Sequence, residues 1–217
     1  MPPILRLHED TLSADGALDA ALPAMPRMVF VVHGAVTIDG RTFGDGETWF
    51  GEGPLAMSPG NAGVTCWRFE LASTSAAGSA KGRGVVSHEK LSVSLDQLPV
   101  GDLLLRGDCV AFPPGGCAYR HTHQGPGIRC LVEGGIRIDT HGRSTSYGPG
   151  GAWFESGPEP VFAQGADRTT RFIRVMVLPR ALIGKSSIAY VNDEDKAKPK
   201  SQQYKIYVDA PISRPPA

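Results

Sequence analysis

The sequence predicts an all-β protein made of two related β-barrels, and three observations carry that prediction. Apolar runs such as MVFVV (28–32), CLVEGGIRI (130–138) and FIRVMVL (172–178) are short, rich in Val and Ile, and bounded by Gly or Pro, the pattern of strands rather than helices. Glycine (27) and proline (18) make up about a fifth of the 217 residues, which fits frequent turns between short strands and stays below the level of a disordered chain. The third observation is that the chain repeats itself.

Taken in order, residues 28–54 and 128–158 follow one plan. Each begins with an apolar strand and reaches a glycine turn (Gly34; Gly134). A second strand follows (Val36, Ile38, Asp39; Ile136, Ile138, Asp139), then a Gly-Arg turn. An aromatic-Gly pair (Phe43-Gly44; Tyr147-Gly148), a Trp-Phe pair (Trp49-Phe50; Trp153-Phe154) and a Gly-Pro (Gly53-Pro54; Gly157-Pro158) complete each copy, and a further strand, CWRFEL or FIRVMVL, closes it. Trp49 and Trp153, at matching places, read as core anchors. The expected organisation is a degenerate first half over 1–72, a linker or loop over 73–87, a second barrel over 88–183 and a polar extension over 184–217. STSAAGSAKGRG (73–84) has no hydrophobic period, hence the linker. In the extension only YKIYV (204–208) alternates like a strand. Because the first copy has little sequence ahead of it, this strand is expected to be lent to a sheet elsewhere.

Composition narrows the partners. Lys plus Arg equals Asp plus Glu at 22 each, so there is no overall field to attract a polyanion or an anionic bilayer, which argues against nucleic acid and membrane partners. The start, MPPILRLHED, has no basic segment followed by an apolar one, and no run of about 18 apolar residues occurs; a cytoplasmic protein is the expectation. Cys66, Cys109, Cys117 and Cys130 are neither dense nor paired as CxxC and read as reduced, mostly buried thiols. No GxSxG, phosphate-binding loop or dinucleotide fingerprint appears. His8, His88 and His141 stand in polar or turn contexts and read as solvated.

The chemistry concentrates in RHTHQGPGIRCLVEGG (120–135). Alternate side chains of a strand share a face, so His121 and His123 point the same way and their imidazoles converge. If that face is a barrel interior, the pair is half of a metal site suited to Fe, Mn, Ni, Cu or Zn; otherwise they are two polar strand residues. Carrying the inward register backwards gives Tyr119 and Cys117, and carrying it forwards gives Arg129 and Leu131. Tyr119 and Cys117 are candidates to ligate a metal, or Tyr119 to bind substrate, unless both simply pack against the barrel wall, and Gln124, at the turn, is a candidate to reach inward. An inward Arg129 must meet a carboxylate, either of the protein (Glu155 or Glu159) or of a ligand.

PPGGCAYRHTHQGPGIRCLVEGG resembles the first motif of the cupin superfamily, and GPGGAWFESGPEPVFA (148–163) looks like the second. The resemblance covers about 107–178 well and, through the internal repeat, 25–71 more faintly. It implies two tandem cupin jelly-roll barrels and a metal held by two histidines, a glutamate and a last histidine. The chain departs from that set: Gly127 stands where the glutamate belongs, flanked by Pro126 and Ile128, and Pro160 or Val161 where the last histidine belongs. In the first copy Arg27 takes the glutamate position and the histidine pair has no counterpart, which implies a metal-free half. Two functions follow from the resemblance. One is a divalent-metal, dioxygenase-like protein acting on a small oxygen-containing or carboxylate substrate, and the other is a metal-free barrel binding a small anionic or sugar-like ligand beside Arg129. A homodimer through edge strands is also expected.

Overall fold

A computed structural model describes residues 2–73 and 78–215. The chain forms two compact units, Met1–Gln97 with Ser213–Ala217, and Leu98–Ile212. The first unit contains β1 (Ile4–Leu18), β2 (Arg27–Ile38), β3 (Arg41–Gly44), β4 (Thr48–Gly51), β5 (Ser58–Ala72) and β6 (Gly82–Ser94). The second contains β7 (Leu103–Phe112), β8 (Cys117–His123), β9 (Gly127–Glu133), β10 (Ile136–Thr140), β11 (Arg143–Tyr147), β12 (Ala152–Glu155), β13 (Val161–Gly165), β14 (Thr170–Pro179), β15 (Ile188–Tyr190) and β16 (Gln203–Ile212). All pairings between these strands are antiparallel. The all-β expectation holds, and among the described residues the single α-helix is one turn, α1 (Asp193–Ala197). No helix is long and apolar enough to cross a membrane.

In the first unit the strand order is β3-β2-β5-β1-β6, with β4 also on β2. One end of the curled sheet encloses an apolar core that includes Leu12, Val29, Val36, Ile38, Phe43 and Val64. In the second unit two five-stranded sheets, β11-β10-β13-β8-β15 and β12-β9-β14-β7-β16, hold between them Val110, Phe112, Leu131, Ile138, Trp153 and Phe172. The first and last strands of each unit pair in the same way, β6 on β1 and β16 on β7.

The repeat seen in the sequence is a repeat of backbone shape. Ile38 pairs with Arg41 and Thr140 with Arg143, so each hairpin closes over two residues. Those residues, Asp39-Gly40 (φ 52° and 74°) and His141-Gly142 (φ 51° and 69°), lie in the left-handed region that a twist-matched tight turn requires. Gly34 and Gly134 also match, at φ 86° and 84°. A β-carbon there would strike the backbone carbonyl of Gly63 or of Thr169, so only glycine fits.

Three expectations are corrected. Part of the segment read as a linker or loop over 73–87 is a strand. Gly82–Ser94 is β6, paired with β1, and its weak apolar alternation reflects an edge strand exposed along much of its length; residues 74–77 of that segment lie outside the described residues. The C-terminal strand is not lent elsewhere. It is β16, which pairs with β7 from Gln203–Ala111 to Ile212–Leu103, and β6 closes the first unit instead. His8, read as solvated, is 1% exposed. It lies on β1 between Arg6 and Asp10, on the face that points into the unit. The neighbours look polar because that end of the interior is itself charged: Glu70 accepts from Arg6 Nε (2.8 Å) and Arg27 Nε (3.0 Å) and pairs with Arg68 (2.5 Å), while Arg68 Nε donates to Asp10 (2.6 Å). His88 and His141 are exposed, as expected.

Two outcomes follow. A chain ending at Gln202 should lose the cooperative unfolding of the second unit or melt at least about 10 °C lower, because β7 loses its partner, whereas a chain ending at Ile212 should keep that transition; differential scanning calorimetry separates them. His8 has its pKa lowered to about 4, first by burial and then by Arg68. The unfolded chain therefore takes up a proton near pH 6.5 that the folded chain refuses, so His8 costs the first unit stability as the pH falls from about 6.5 to 4. Urea midpoints across that range should fall less steeply for His8→Phe than for the natural chain.

Candidate metal centre

The polar end of the second unit is built from both sheets. From β8 come His121 and His123, each 5% exposed, with ring centroids 4.9 Å apart and planes nearly perpendicular. From the facing sheet come Arg129 on β9, Glu155 on β12 and Arg174 on β14, all buried. The pairing places Arg129 opposite Trp153 and Arg174, and Arg174 opposite Asp108. The inward direction inferred for the two histidines and for Arg129 is the one observed.

Glu155 lies with them. One ligand atom from each of His121, His123 and Glu155 falls within 4.8 Å of the others, and no other group of three such residues occurs among the described residues. Glu155 Oε1 accepts a hydrogen bond from Trp153 Nε1 at 2.9 Å, and Oε2 lies 2.7 Å from Arg129 Nη2 and 3.6 Å from His123 Nε2. Sequence reasoning named Glu155 only as a partner for Arg129, and that partnership is present; its place beside the histidines was missed. The signal was available, because Trp153 was read as inward and Glu155, two residues on, shares its face.

Glu155 also explains the missing glutamate. Its Cα partner across the β9–β12 pair is Gly127, the position at which the resemblance expects the carboxylate. Gly127 has no room for a side chain: a β-carbon there would lie 2.6 Å from the Val175 carbonyl oxygen and 3.0 Å from Arg129 Nη1, and Arg129 Nη1 donates to the Gly127 carbonyl at 2.6 Å. The carboxylate therefore arrives from the neighbouring strand.

The electrostatics keep both imidazoles neutral. Burial lowers the pKa of His121, and burial together with Arg174 and Arg129 lowers that of His123 well below the ordinary value. His121 Nδ1 lies 2.6 Å from the Tyr119 carbonyl, so Nδ1 carries the proton and donates it, leaving the Nε2 lone pair free. Arg129 is pushed down to about 10, first by burial and partly offset by Glu155, and is still charged at neutral pH. Arg174 donates to both oxygens of Asp108, at 3.0 and 2.7 Å. The two buried guanidinium–carboxylate pairs balance.

Two sequence candidates are not at the site. Between β8 and β13, Val161 faces His121 while Ala163 faces Ala118, so β8 carries an extra residue in this stretch. That bulge turns Ala118 inward and Tyr119 outward; the Tyr119 ring instead lies under Lys198 and Lys200, whose amines are 4.9 and 5.4 Å from its centre. Simple alternation back from His121 could not register the extra residue. Gln124 is exposed in the turn after β8. Neither lines the cavity, which is bounded by the two histidines, Arg129, Glu155, Arg174 and Tyr204 among others and has a volume of about 20 Å³. That is room for one water molecule or one ion.

His₂-carboxylate is a donor set for Zn or non-haem Fe. Metal–ligand distances near 2.1 Å require donors no more than about 4.2 Å apart, so the observed 4.8 Å spread fits an ion after a small contraction, with Glu155 Oε2 turning from Arg129 toward it.

Three solved structures resemble the chain. A deletion mutant of Bacillus subtilis oxalate decarboxylase has a TM-score of 0.60 at 12% identity over 89% of this chain and 73% of its own. AerE from Microcystis aeruginosa gives 0.57 at 10%, covering 82% and 89%, and the 11S allergen of Cocos nucifera 0.61 at 10%, covering 86% and 83%. At such identities the likeness shows the fold alone. No protein-family model and no curated protein matches the chain in sequence.

Glu155→Gln should destabilise the second unit by about 3–5 kcal/mol, because it strands a buried guanidinium, and Arg129→Met combined with Glu155→Leu should recover at least half of that loss. Chemical denaturation of the natural chain and the two variants checks both expectations.

Proposed function

We propose that the chain is a tandem pair of cupin barrels whose second unit binds one divalent transition metal through His121, His123 and Glu155. The observation that carries the reading is the convergence of two neutral imidazoles and a carboxylate on a cavity the size of an ion, with the tautomer of His121 fixed by the Tyr119 carbonyl. The residues present suit Fe, Mn, Ni, Cu or Zn, and the binding is weaker than in a four-ligand site because each missing ligand removes energy and geometric definition.

Bound there, such an ion would polarise an oxygen ligand or, as iron, engage O2, which is the basis for a dioxygenase-like activity on a small oxygen-containing or carboxylate substrate. The chain's own contributions are separate. Trp153 holds Oε1 of Glu155, Arg174 and Asp108 fix the floor as a neutral pair, and the apolar residues beyond exclude water. Arg129, once Glu155 turned toward the ion, would keep its hydrogen bond to the Gly127 carbonyl and give up only its contact with Oε2.

The alternative, a metal-free pocket for a small anion beside Arg129, is the weaker reading, since Arg129 is already engaged by Glu155 and Gly127 and the cavity has room for little more than a water molecule.

Elemental analysis of protein purified without added metal should find a transition metal at a substantial fraction of one equivalent, and His121→Ala and His123→Ala should each lose most of it. Only traces in the natural chain, unchanged after dialysis against Zn or Fe(II), would remove the proposal.

A further inference from the structure

A second feature of the second unit is independent of the metal centre. On the outer face of the β11-β10-β13-β8-β15 sheet, beside the β10–β11 hairpin, lies an open groove of about 470 Å³, within the usual range for small-molecule sites. Arg120 of β8, Arg143 of β11 and Asp139 of β10 are among the residues that line it, and Phe162 and Pro160, both half-buried, form an apolar part of its wall.

Neither guanidinium has a hydrogen bond, ion pair or ring partner among the described residues. Asp139, the acid that lines the groove, is already engaged. Asp139 accepts from Arg137 Nε and Nη2, both at 3.1 Å, and from Ser144 Oγ at 2.6 Å, while Glu159 lies 3.8 Å from His141 Nδ1. The repeat provides an internal comparison. Arg41, which follows the matching turn glycine of the first unit, stacks over Phe43 with its guanidinium 5.0 Å from the ring centre. Two residues after Arg143 the chain has Thr145 instead of an aromatic ring, so Arg143 keeps its five donors unspent.

We propose that this groove binds a small phosphate monoester carrying a planar ring. Two unpaired guanidiniums match the charge and the forked geometry of a phosphate dianion. The volume exceeds what a bare phosphate fills, and Phe162 and Pro160 offer apolar surface for the ring. The site is exposed, so binding weakens as salt is raised.

Phenyl phosphate, inorganic phosphate and phenol are the probes, titrated calorimetrically at low ionic strength into the full chain, the Arg120→Ala/Arg143→Ala double variant and Phe162→Ala. The expected result is binding of phenyl phosphate by the natural chain, weaker binding of phosphate and none of phenol. The arginine variant should lose at least about tenfold in affinity, and Phe162→Ala should bind phenyl phosphate no better than inorganic phosphate. Both arginines are exposed, and circular dichroism checks that the variants fold. Absence of phenyl phosphate binding by the natural chain up to about 10 mM, or equal binding by the arginine variant, overturns the site; equal affinity of the natural chain for phenyl phosphate and phosphate overturns the ring.

Discussion

A carboxylate out of water must be paired, and the second unit is organised around one that has more suitors than oxygens. Glu155 is held through one oxygen by Trp153, and its other oxygen faces both Arg129 and His123. Removing two ions from water costs several kcal/mol each unless geometry and hydrogen bonds repay it. The Arg129–Glu155 and Arg174–Asp108 pairs satisfy that requirement without any added ion, and the histidines remain neutral beside them. A metal bound there would have to compete with a guanidinium for one carboxylate oxygen.

The first unit meets the same constraint differently. Where the second has Gly127 it has Arg27, and where the second has Met176 it has Glu70, judged by the alignment of the repeats. Glu70 gathers Arg6, Arg27 and Arg68, and Asp10 pairs with Arg68 as well. Guanidiniums fill the interior end that in the second unit holds the histidines. In the first unit arginines supply the positive charge at that end, and the sequence has no histidine pair there.

Much of this was legible because it rests on local rules. The matched turns needed Asp-Gly or His-Gly followed by Arg, the glycines at 34 and 134 needed left-handed backbone, and His-x-His on a strand had to share a face. What escaped depended on partners distant in sequence. β6 has few buried positions, so its composition looks like a linker until β1 pairs with it. The bulge in β8 that expels Tyr119 is set by how β13 lies against it. Glu155 replaces the residue expected at 127 only through a cross-strand register that no spacing reveals. His8 looked solvated because its neighbours are charged, yet Arg6 and Asp10 are themselves paired inside the unit.

The claim on which the account turns is that His121, His123 and Glu155 share one ion. Crystals grown with Zn or Mn, with diffraction recorded on either side of the metal's absorption edge, test it directly. The account predicts a single anomalous peak within coordinating distance of both Nε2 atoms and of Glu155 Oε2, with Arg129 withdrawn from that oxygen. A cavity without a peak, or one in which Glu155 still faces Arg129 while metal binds elsewhere on the chain, would contradict it.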